Sequence, residues 1–295
     1  MVNTPLVSIV TPSFNKSRFI AKTIESVVAQ DYAKIEHIVI DGNSTDGTQE
    51  ILARYSKLIW VSEPDRGQSH ALNKGFRLAE GEILGWLNAD DTYQPRAIET
   101  AIHILENNPS IDAVYSDLQV IDEEGKPIRL AKAEPFDRYV LPQKNVVKQP
   151  TIFMRRSVYE STGEINENLH YVMDWEYWLR AGLKSKFLYL QDVVLANFRL
   201  CSGTKSFDMP PEFHLEWLNV LEEIDHNPDY GGIPRRSIVA ARRMTSGAYY
   251  LSRAAECSRN RDRVGALVYL MKSFGKDARL SVRPGNWLYA LGRLA

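Results

Sequence analysis

Up to Asn107 the chain repeats one pattern, a short apolar run followed by a stretch with apolar residues at helical spacing. The runs are Leu6–Thr11, closed by Pro12; His37–Ile40, closed by Asp41-Gly42; Leu58–Val61; and Ile83–Leu87. Between them, Arg18–Gln30 carries Ile20, Thr23, Ile24, Val27 and Val28 on one face. Thr48–Tyr55 is a shorter helical stretch. Ser69–Ala79 turns Ala71, Leu72, Gly75, Phe76 and Ala79 inward, and Arg96–Asn107 follows the fourth run. Strands too short to be helices, joined through helices, predict βαβ units. The expected fold is α/β, with a Rossmann-like, mainly parallel central sheet flanked by helices.

After residue 113 the rhythm changes. Val114–Ile121, the turn Asp122-Glu123-Glu124-Gly125 and Pro127–Leu130 read as a hairpin. Residues 131–148 read as an irregular, exposed connection. A strand at Thr151–Met154, a helix over Met173–Ala181 and strands at Phe187–Leu190 and Val193–Phe198 complete the α/β body. Beyond Pro211 the pattern is helical throughout, in Glu212–Ile224, Arg236–Ser258 and Asp262–Lys276. A boundary near 205–210 therefore divides an α/β body, residues 1–208, from a helical extension, residues 209–295.

Composition excludes several classes. With 44% apolar and 10% aromatic residues, the 295-residue chain can bury a core and is not a disordered polymer. No apolar run approaches the ~18 residues of a spanning helix. The N-terminus lacks a basic region followed by an apolar one, so no secretory signal is expected. Two cysteines, Cys201 and Cys257, form no disulfide framework and fit a reducing cytoplasm. The six histidines show no zinc spacing. The net charge of −1 is a cancellation. From Arg235 onward there are 13 basic and three acidic residues, against 23 basic and 34 acidic before it.

Ligands of an open parallel sheet bind beyond the carboxyl ends of its strands. Those ends read Thr11-Pro12-Ser13-Phe14-Asn15, Asp41-Gly42-Asn43-Ser44-Thr45-Asp46-Gly47, Glu63-Pro64-Asp65-Arg66-Gly67-Gln68 and Asn88-Ala89-Asp90-Asp91. Any one of them is ordinary turn chemistry. Four together suit a nucleotide, with carboxylates for a base edge and a divalent cation. Adjacent Asp90 and Asp91 repel unless a cation lies beside them, and oxygen-only ligands suit Mg²⁺ or Mn²⁺. Equally, they form an exposed turn before Pro95. The first loop has no GxGxxG and no GxxxxGK[ST], which argues against a dinucleotide or P-loop site.

The segments VSIVTPSFNKSRFIAKTIESVVAQDY, HIVIDGNSTDGTQEIL, SEPDRGQSHALNKGF, GEILGWLNADD and MDWEYWLRAG, in this order, resemble family 2 glycosyltransferases of the GT-A fold over residues 5–205. The resemblance implies an inverting enzyme with a donor-binding half, 1–112, and an acceptor-side half, 113–208. Its donor is a nucleoside-diphosphate sugar and its acceptor a glycan or lipid-linked hydroxyl; nucleic acid is not a partner. It implies that Thr11, Pro12, Ser13, Phe14 and Asn15 line the nucleobase and that Asp41 reads its edge. Arg66, Gly67, Gln68 and Asn73 would flank ribose and diphosphate, with Asn88 and Asp90 at the ribose or donor sugar. Asp91 would hold the Mn²⁺ or Mg²⁺, and Asp174 would be the catalytic base. Lys148-Gln149-Pro150-Thr151 matches an acceptor-side segment, or is a simple loop-to-strand junction.

The chemistry of transfer agrees with these roles. A leaving diphosphate needs charge neutralisation, and an acceptor hydroxyl needs a base. Trp175, Trp178 and Leu179 share a helical face and read as core, with a sugar-stacking platform as the other reading. Two positions depart from the pattern, His70 in place of an acidic residue and Cys201 in place of a histidine. Arg199 and Lys205 are either phosphate partners or surface cations. A nucleotidyltransferase and a non-catalytic sugar-nucleotide module stay open as alternatives. In the tail, Val264, Leu267, Val268, Met271 and Phe274 form an apolar stripe flanked by Arg261, Arg263, Lys272, Lys276 and Arg279. It reads as a peripheral grip on the inner face of an anionic membrane, or as a helix packed on the catalytic domain.

Overall fold

The computed structural model describes residues 4–201, 210–224 and 226–277. The first unit comprises residues 1–136 and 146–202 and is built on one nine-stranded sheet. Its strands are β1 (Val7–Ser13), β2 (Ile35–Asp41), β3 (Ile59–Ser62), β4 (Ile83–Trp86), β5 (Thr92–Tyr93), β6 (Ala113–Ile121), β7 (Pro127–Ala131), β8 (Phe153–Arg155) and β9 (Phe187–Arg199). They lie in the order β3-β2-β1-β4-β8-β6-β9-β5, with β7 paired to β6.

The expected parallel sheet is realised in β3-β2-β1-β4 and again in β6-β9. Between these blocks β8 runs antiparallel to both β4 and β6. Two reversals restore direction, so β6 and β9 end on the same rim as β1–β4. The β6–β7 hairpin forms as expected. The two strands read from 187 to 198 are one strand, β9, whose register against β6 slips between Ser116 and Leu118. Asp192, at a φ of 60°, lies in the stretch that the slip leaves over.

Helices α1 (Ile20–Val28), α2 (Thr48–Leu52), α3 (Gln68–Leu78), α4 (Ala97–Asn107) and α6 (Met173–Lys184) follow the apolar spacing. On α1, Ile20, Thr23, Ile24 and Val27 are buried, but Val28 is 71% exposed. It directly follows Val27, and at 100° per residue that step carries it off the buried stripe. A further helix, α5 (Arg156–Thr162), and the two-residue β5 have no counterpart in the apolar pattern. Segment 131–148 is irregular but not exposed throughout, since Ala133, Leu141, Val146 and Val147 are buried.

The sheet's main core gathers Val7, Ile9, Val27, Ile83, Leu87 and Tyr93 with Ile98, Ile102 and Leu105 of α4. A second cluster packs Ile20, Ile24, Val39 and Leu52 together.

The second unit comprises residues 137–145 and 203–295. Its described helices are α7 (Pro211–Glu223), α8 (Arg235–Arg259) and α9 (Arg263–Lys276). Helices α8 and α9 are bound through Ser273 Oγ, which donates to the Gly247 carbonyl at 2.9 Å, and Arg243 Nε, which donates to the Lys276 carbonyl at 2.7 Å. The boundary expected at 205–210 falls outside the described residues, as do Lys205 and Arg279.

Gly81 is where the chain re-enters the sheet. A Cβ there would lie 2.6 Å from the Ser8 backbone nitrogen and 2.8 Å from the Leu6 carbonyl oxygen. Backbone cannot swing aside as a side chain does. Gly81→Ala is therefore expected to destabilise the protein by about 1–3 kcal/mol. A lower urea midpoint with an unchanged m-value measures it; an unchanged midpoint would show that the entry to β4 is loose.

Candidate active site

The rim is assembled by carboxylates that accept from the loops around them. Asp41, at the end of β2, has no accessible surface. Its oxygens accept from the Ser44 N–H at 2.9 Å, the Ser44 hydroxyl at 2.5 Å and the Ser62 hydroxyl at 2.7 Å. It thereby folds the 41–44 turn and ties β2 to the end of β3. The following loop braces the exit of β1. The Ser44 hydroxyl accepts the Asn15 N–H (2.7 Å), Asn15 Oδ1 accepts the Thr45 N–H (3.0 Å), and Thr48 Oγ1 accepts the Lys16 N–H (3.0 Å).

Of the residues predicted to line a base, Thr11, Pro12 and Ser13 are buried within β1. Phe14, 59% exposed, and Asn15, at a φ of 51°, stand at the rim. A side chain on Gly42 would come within 2.7 Å of Asp65 Oδ2 and 3.3 Å of the Phe14 ring. Glycine there lets Asp65 and Phe14 approach each other over the backbone. The groups presented at this corner are thus Phe14 and Asp65, with Asp41 behind them.

At the end of β4, Asp90 is 8% exposed and Asp91 is fully enclosed. Asp91 Oδ1 accepts the Arg199 N–H at 3.0 Å, and the Asn88 amide donates to Oδ2 at 3.4 Å. Burial and the neighbouring Asp90 charge push its carboxyl well above the usual range. Asp90 Oδ2 accepts from the Lys16 ammonium at 2.6 Å. Asn88 is the hub beside them. Its Oδ1 accepts from Gln68 Nε2 (2.8 Å) and Trp86 Nε1 (3.0 Å), and its amide donates to Gln149 Oε1 (3.0 Å). Gln149 comes from the segment read as acceptor-side or junction, and it also donates to the Trp86 carbonyl.

Arg199 is not a surface cation. It is 2% exposed and its guanidinium donates to the carbonyls of Asp90, Asp122 and Glu123. It also lies over the Phe19 ring. Cys201 is buried and forms no disulfide.

A third group of contacts joins the loop after β3 to the approach to α6. Asn73, predicted to flank ribose, is fully buried instead. Its amide donates to the Ile165 carbonyl (2.9 Å) and Glu167 (3.2 Å), and its oxygen accepts the Ile165 N–H (2.9 Å). Ser69 donates to the Leu169 carbonyl, and exposed Arg66 pairs with Glu167. Gly67, at a φ of 114°, makes the turn into α3, where Asp65 Oδ1 accepts its N–H at 2.7 Å. Arg66 N–H donates to His70 Nδ1 at 3.1 Å, which gives the unusual histidine a role in the same turn.

Asp174 is half-buried in the first turn of α6. Glu176 is enclosed and forms a bidentate pair with Arg180, whose guanidinium also donates to the carbonyls of Thr162 and Glu164. Segment 162–170 is thereby clamped between α3 and α6. Trp175, Tyr177 and Trp178 are buried, and Trp178 packs against Trp86 at 6.3 Å, so these rings are core. Lys16, Ser44, Ser62, Asp65, Gln149 and Glu167 complete the site beyond the residues assigned from sequence. Ser44 and Asp65 belong to the strand-end loops and Gln149 to the 148–151 segment; Lys16, Ser62 and Glu167 join through partners distant in the chain.

Residues 8–163 match the model of glycosyl transferase family 2. The chain belongs to that family. It is 30% identical over 232 residues to an uncharacterized glycosyltransferase of Rickettsia typhi, covering 75% of this chain and 73% of the relative. It is 27% identical over 222 residues to the chondroitin synthase of Escherichia coli. That match covers 73% of this chain but only 32% of the synthase. The solved mannosyltransferase PcManGT from Pyrobaculum calidifontis, in complex with GDP-Man and Mn²⁺, superposes with a TM-score of 0.64 at 18% identity. The superposition covers 98% of this chain and 84% of that one. The fold of this glycosyltransferase is GT-A.

Beneath the rim, His37 shares a 3.0 Å hydrogen bond with Thr11 Oγ1, while its Nδ1 is buried without a partner. Burial pushes the imidazole down to about 3 from an ordinary 6.5. Between those values the unfolded chain binds a proton that the folded one excludes, so this group costs stability as pH falls below 6.5. His37→Gln should flatten the loss by up to about 1.4 kcal/mol per pH unit. Urea midpoints of both proteins from pH 7 to pH 4 measure this, and parallel curves would mean that His37 protonates in place.

Proposed function

We propose that this glycosyltransferase moves a sugar from a nucleoside-diphosphate donor to a hydroxyl of a glycan or lipid-linked acceptor, with inversion at the anomeric carbon. The observation that carries the reading is the Asp90–Asp91 pair, braced by Asn88 and Arg199 at the rim where six parallel-aligned strands end. Chondroitin synthase among the relatives favours a setting in polysaccharide assembly. Cys201 and Cys257, neither in a disulfide, favour the cytoplasm.

The donor set fits a divalent cation of the Mg²⁺ or Mn²⁺ type. Such ions take one or two carboxylates and complete their shell with substrate phosphate and water. Among the described residues no group of three or more acidic, histidine or cysteine side chains gathers for a metal. Asp90 is the better ligand, because Asp91 has no accessible oxygen and both of its oxygens are engaged. Asp91 then acts from behind, fixing the turn through Arg199. When bound, the ion neutralises the leaving diphosphate.

The chain's own groups supply the rest. Phe14 and Asp65 receive the base, with Asp41 ordering their loops. Lys16 adds a cation at the diphosphate end, and Gln68 and Asn88 present amides beside it. Arg66 and Gly67 border the same channel, and Asn73 holds segment 165–167 in register with it. Asp174 accepts the acceptor proton as the new bond forms. A helix first turn suits a base that must stay ionised. Its neighbour Glu176 is already committed to Arg180.

UDP-, dTDP- and GDP-sugars, screened with Mn²⁺ for slow donor hydrolysis, test the function itself. The absence of binding to any donor at millimolar concentration would remove the enzyme reading. With the donor in hand, Asp174→Asn should keep its affinity by calorimetry while transfer falls about 10²–10⁴-fold. Equal transfer would exclude Asp174 as base.

Lys16→Met offers a separate check on the rim. Removing a cation 2.6 Å from Asp90 should tighten Mn²⁺ binding to the nucleotide-free protein about tenfold, read by the paramagnetic resonance of free Mn²⁺. Asp90→Asn should abolish that binding. Retained binding would move the metal elsewhere.

A further inference from the structure

The second unit carries a surface that sugar transfer does not use. On α9, Ala266, Leu270 and Ser273 are buried, and Leu270 forms a cluster with Ala254 and Leu251 of α8. The opposite face is apolar and open. Val264 is 75% exposed, Leu267 56%, Val268 43%, Met271 68% and Phe274 52%. At 100° per residue these five fall in one arc of about 120°, shared only with Gly275. No charged or hydrogen-bonding side chain interrupts it.

The borders of the arc are cationic. Arg263 lies on one side and Lys272 and Lys276 on the other, with Arg261 just before the helix, all exposed. Lys272 lies over the rings of Tyr250 and Tyr269, which extends its ammonium along the helix border. The nearby acids are already engaged. Asp262 caps α9 by accepting the Gly265 N–H at 2.8 Å, Glu256 pairs with Arg253, and Asp277 is buried. Arg261, Arg263, Lys272 and Lys276 are thus left facing outward, with no acidic side chain among the described residues opposing them on this face.

We propose that the outer face of α9 docks on an anionic lipid bilayer, lying in the interface with its apolar arc among the acyl chains. A helix of this kind is amphipathic in the reverse of the globular sense, with a small-residue face inward and large apolar side chains outward. Lysine and arginine at the borders of such a face reach anionic headgroups. A second copy of the chain fits less well, because a two-fold contact across this arc would bring the cationic borders of both copies together. The helix does not enter as a span. Among the described residues none is long and apolar enough to cross a membrane. The inference rests on the helix alone and is independent of the donor and acceptor assigned above.

Sedimentation of the full chain with vesicles decides it. The protein should bind phosphatidylcholine vesicles doped with phosphatidylglycerol and leave pure phosphatidylcholine vesicles in the supernatant. Leu267→Glu with Met271→Glu should abolish binding while the melting temperature holds, since both side chains are more than half exposed. Arg263→Ala should weaken it about fivefold. Absence of binding to the doped vesicles, or equal binding by the double variant, overturns the proposal. So does a lipid-free dimer in analytical ultracentrifugation that the same double variant dissolves, because the face would then be covered by a second copy.

Discussion

Two like charges on consecutive residues, taken out of water at the end of β4, set the terms for the architecture around them. Asp91 is enclosed, so its charge or its proton must be satisfied by protein. The Arg199 N–H does part of this, which requires β9 to end beside β4's exit although three strand positions separate them in the sheet. The same residue's guanidinium binds the Asp90 carbonyl and those of Asp122 and Glu123 at the β6–β7 turn. One arginine therefore locks three strand ends together. Asn88 does the corresponding work toward Gln68, Trp86 and Gln149. The carboxylates shape the rim through the partners they demand.

The sheet makes those partners available. An antiparallel insertion of two strands would have sent β6 and β9 to the opposite rim. Strand β8, antiparallel on both sides, gives two reversals, so Arg199 and Ile121 emerge with Ser13, Asp41 and Ser62. The clamp on segment 162–170 serves the same end from the other side. Asn73 and Arg66 hold it to the donor-side loop, and Arg180 holds it to α6. Asp174 begins that helix, so its position is inherited from contacts with both.

What was legible in the sequence follows from the range of each signal. Strands and helices announced by local periodicity were readable, including the inward face of α3 and the hairpin at 122–125. Val28 was misread because the helical arc was drawn one residue too wide. Strand β5 has two residues and α5 is built from Arg156, Ser157, Tyr159 and Glu160 around a single buried Val158, so neither carries a period. The four strand-end loops were identifiable because turn chemistry is local. Which member of each loop faces outward was not, since it depends on Ser62 for Asp41, on Arg199 for Asp91 and on Ile165 for Asn73. Those contacts span 21 to 108 residues. The antiparallel placing of β8 between β4 and β6 was hidden for the same reason.

The near-zero net charge comes from residues that do opposite kinds of work. In the first unit many carboxylates are internal fittings. Asp41 and Asp46 organise loops, Asp112 accepts the Lys186 N–H, and Asp117 accepts the Ala133 N–H and the Tyr189 hydroxyl. Each is tied into the fold by the groups that donate to it and keeps its negative charge. The exposed cations of α9 and its approach are left facing outward, because their neighbouring acids are capped, paired or buried. Formal charges that cancel over the chain thus serve different ends in the two units. Carboxylates of the first unit hold a rim together, while the exposed Arg261, Arg263, Lys272 and Lys276 act over about one Debye length.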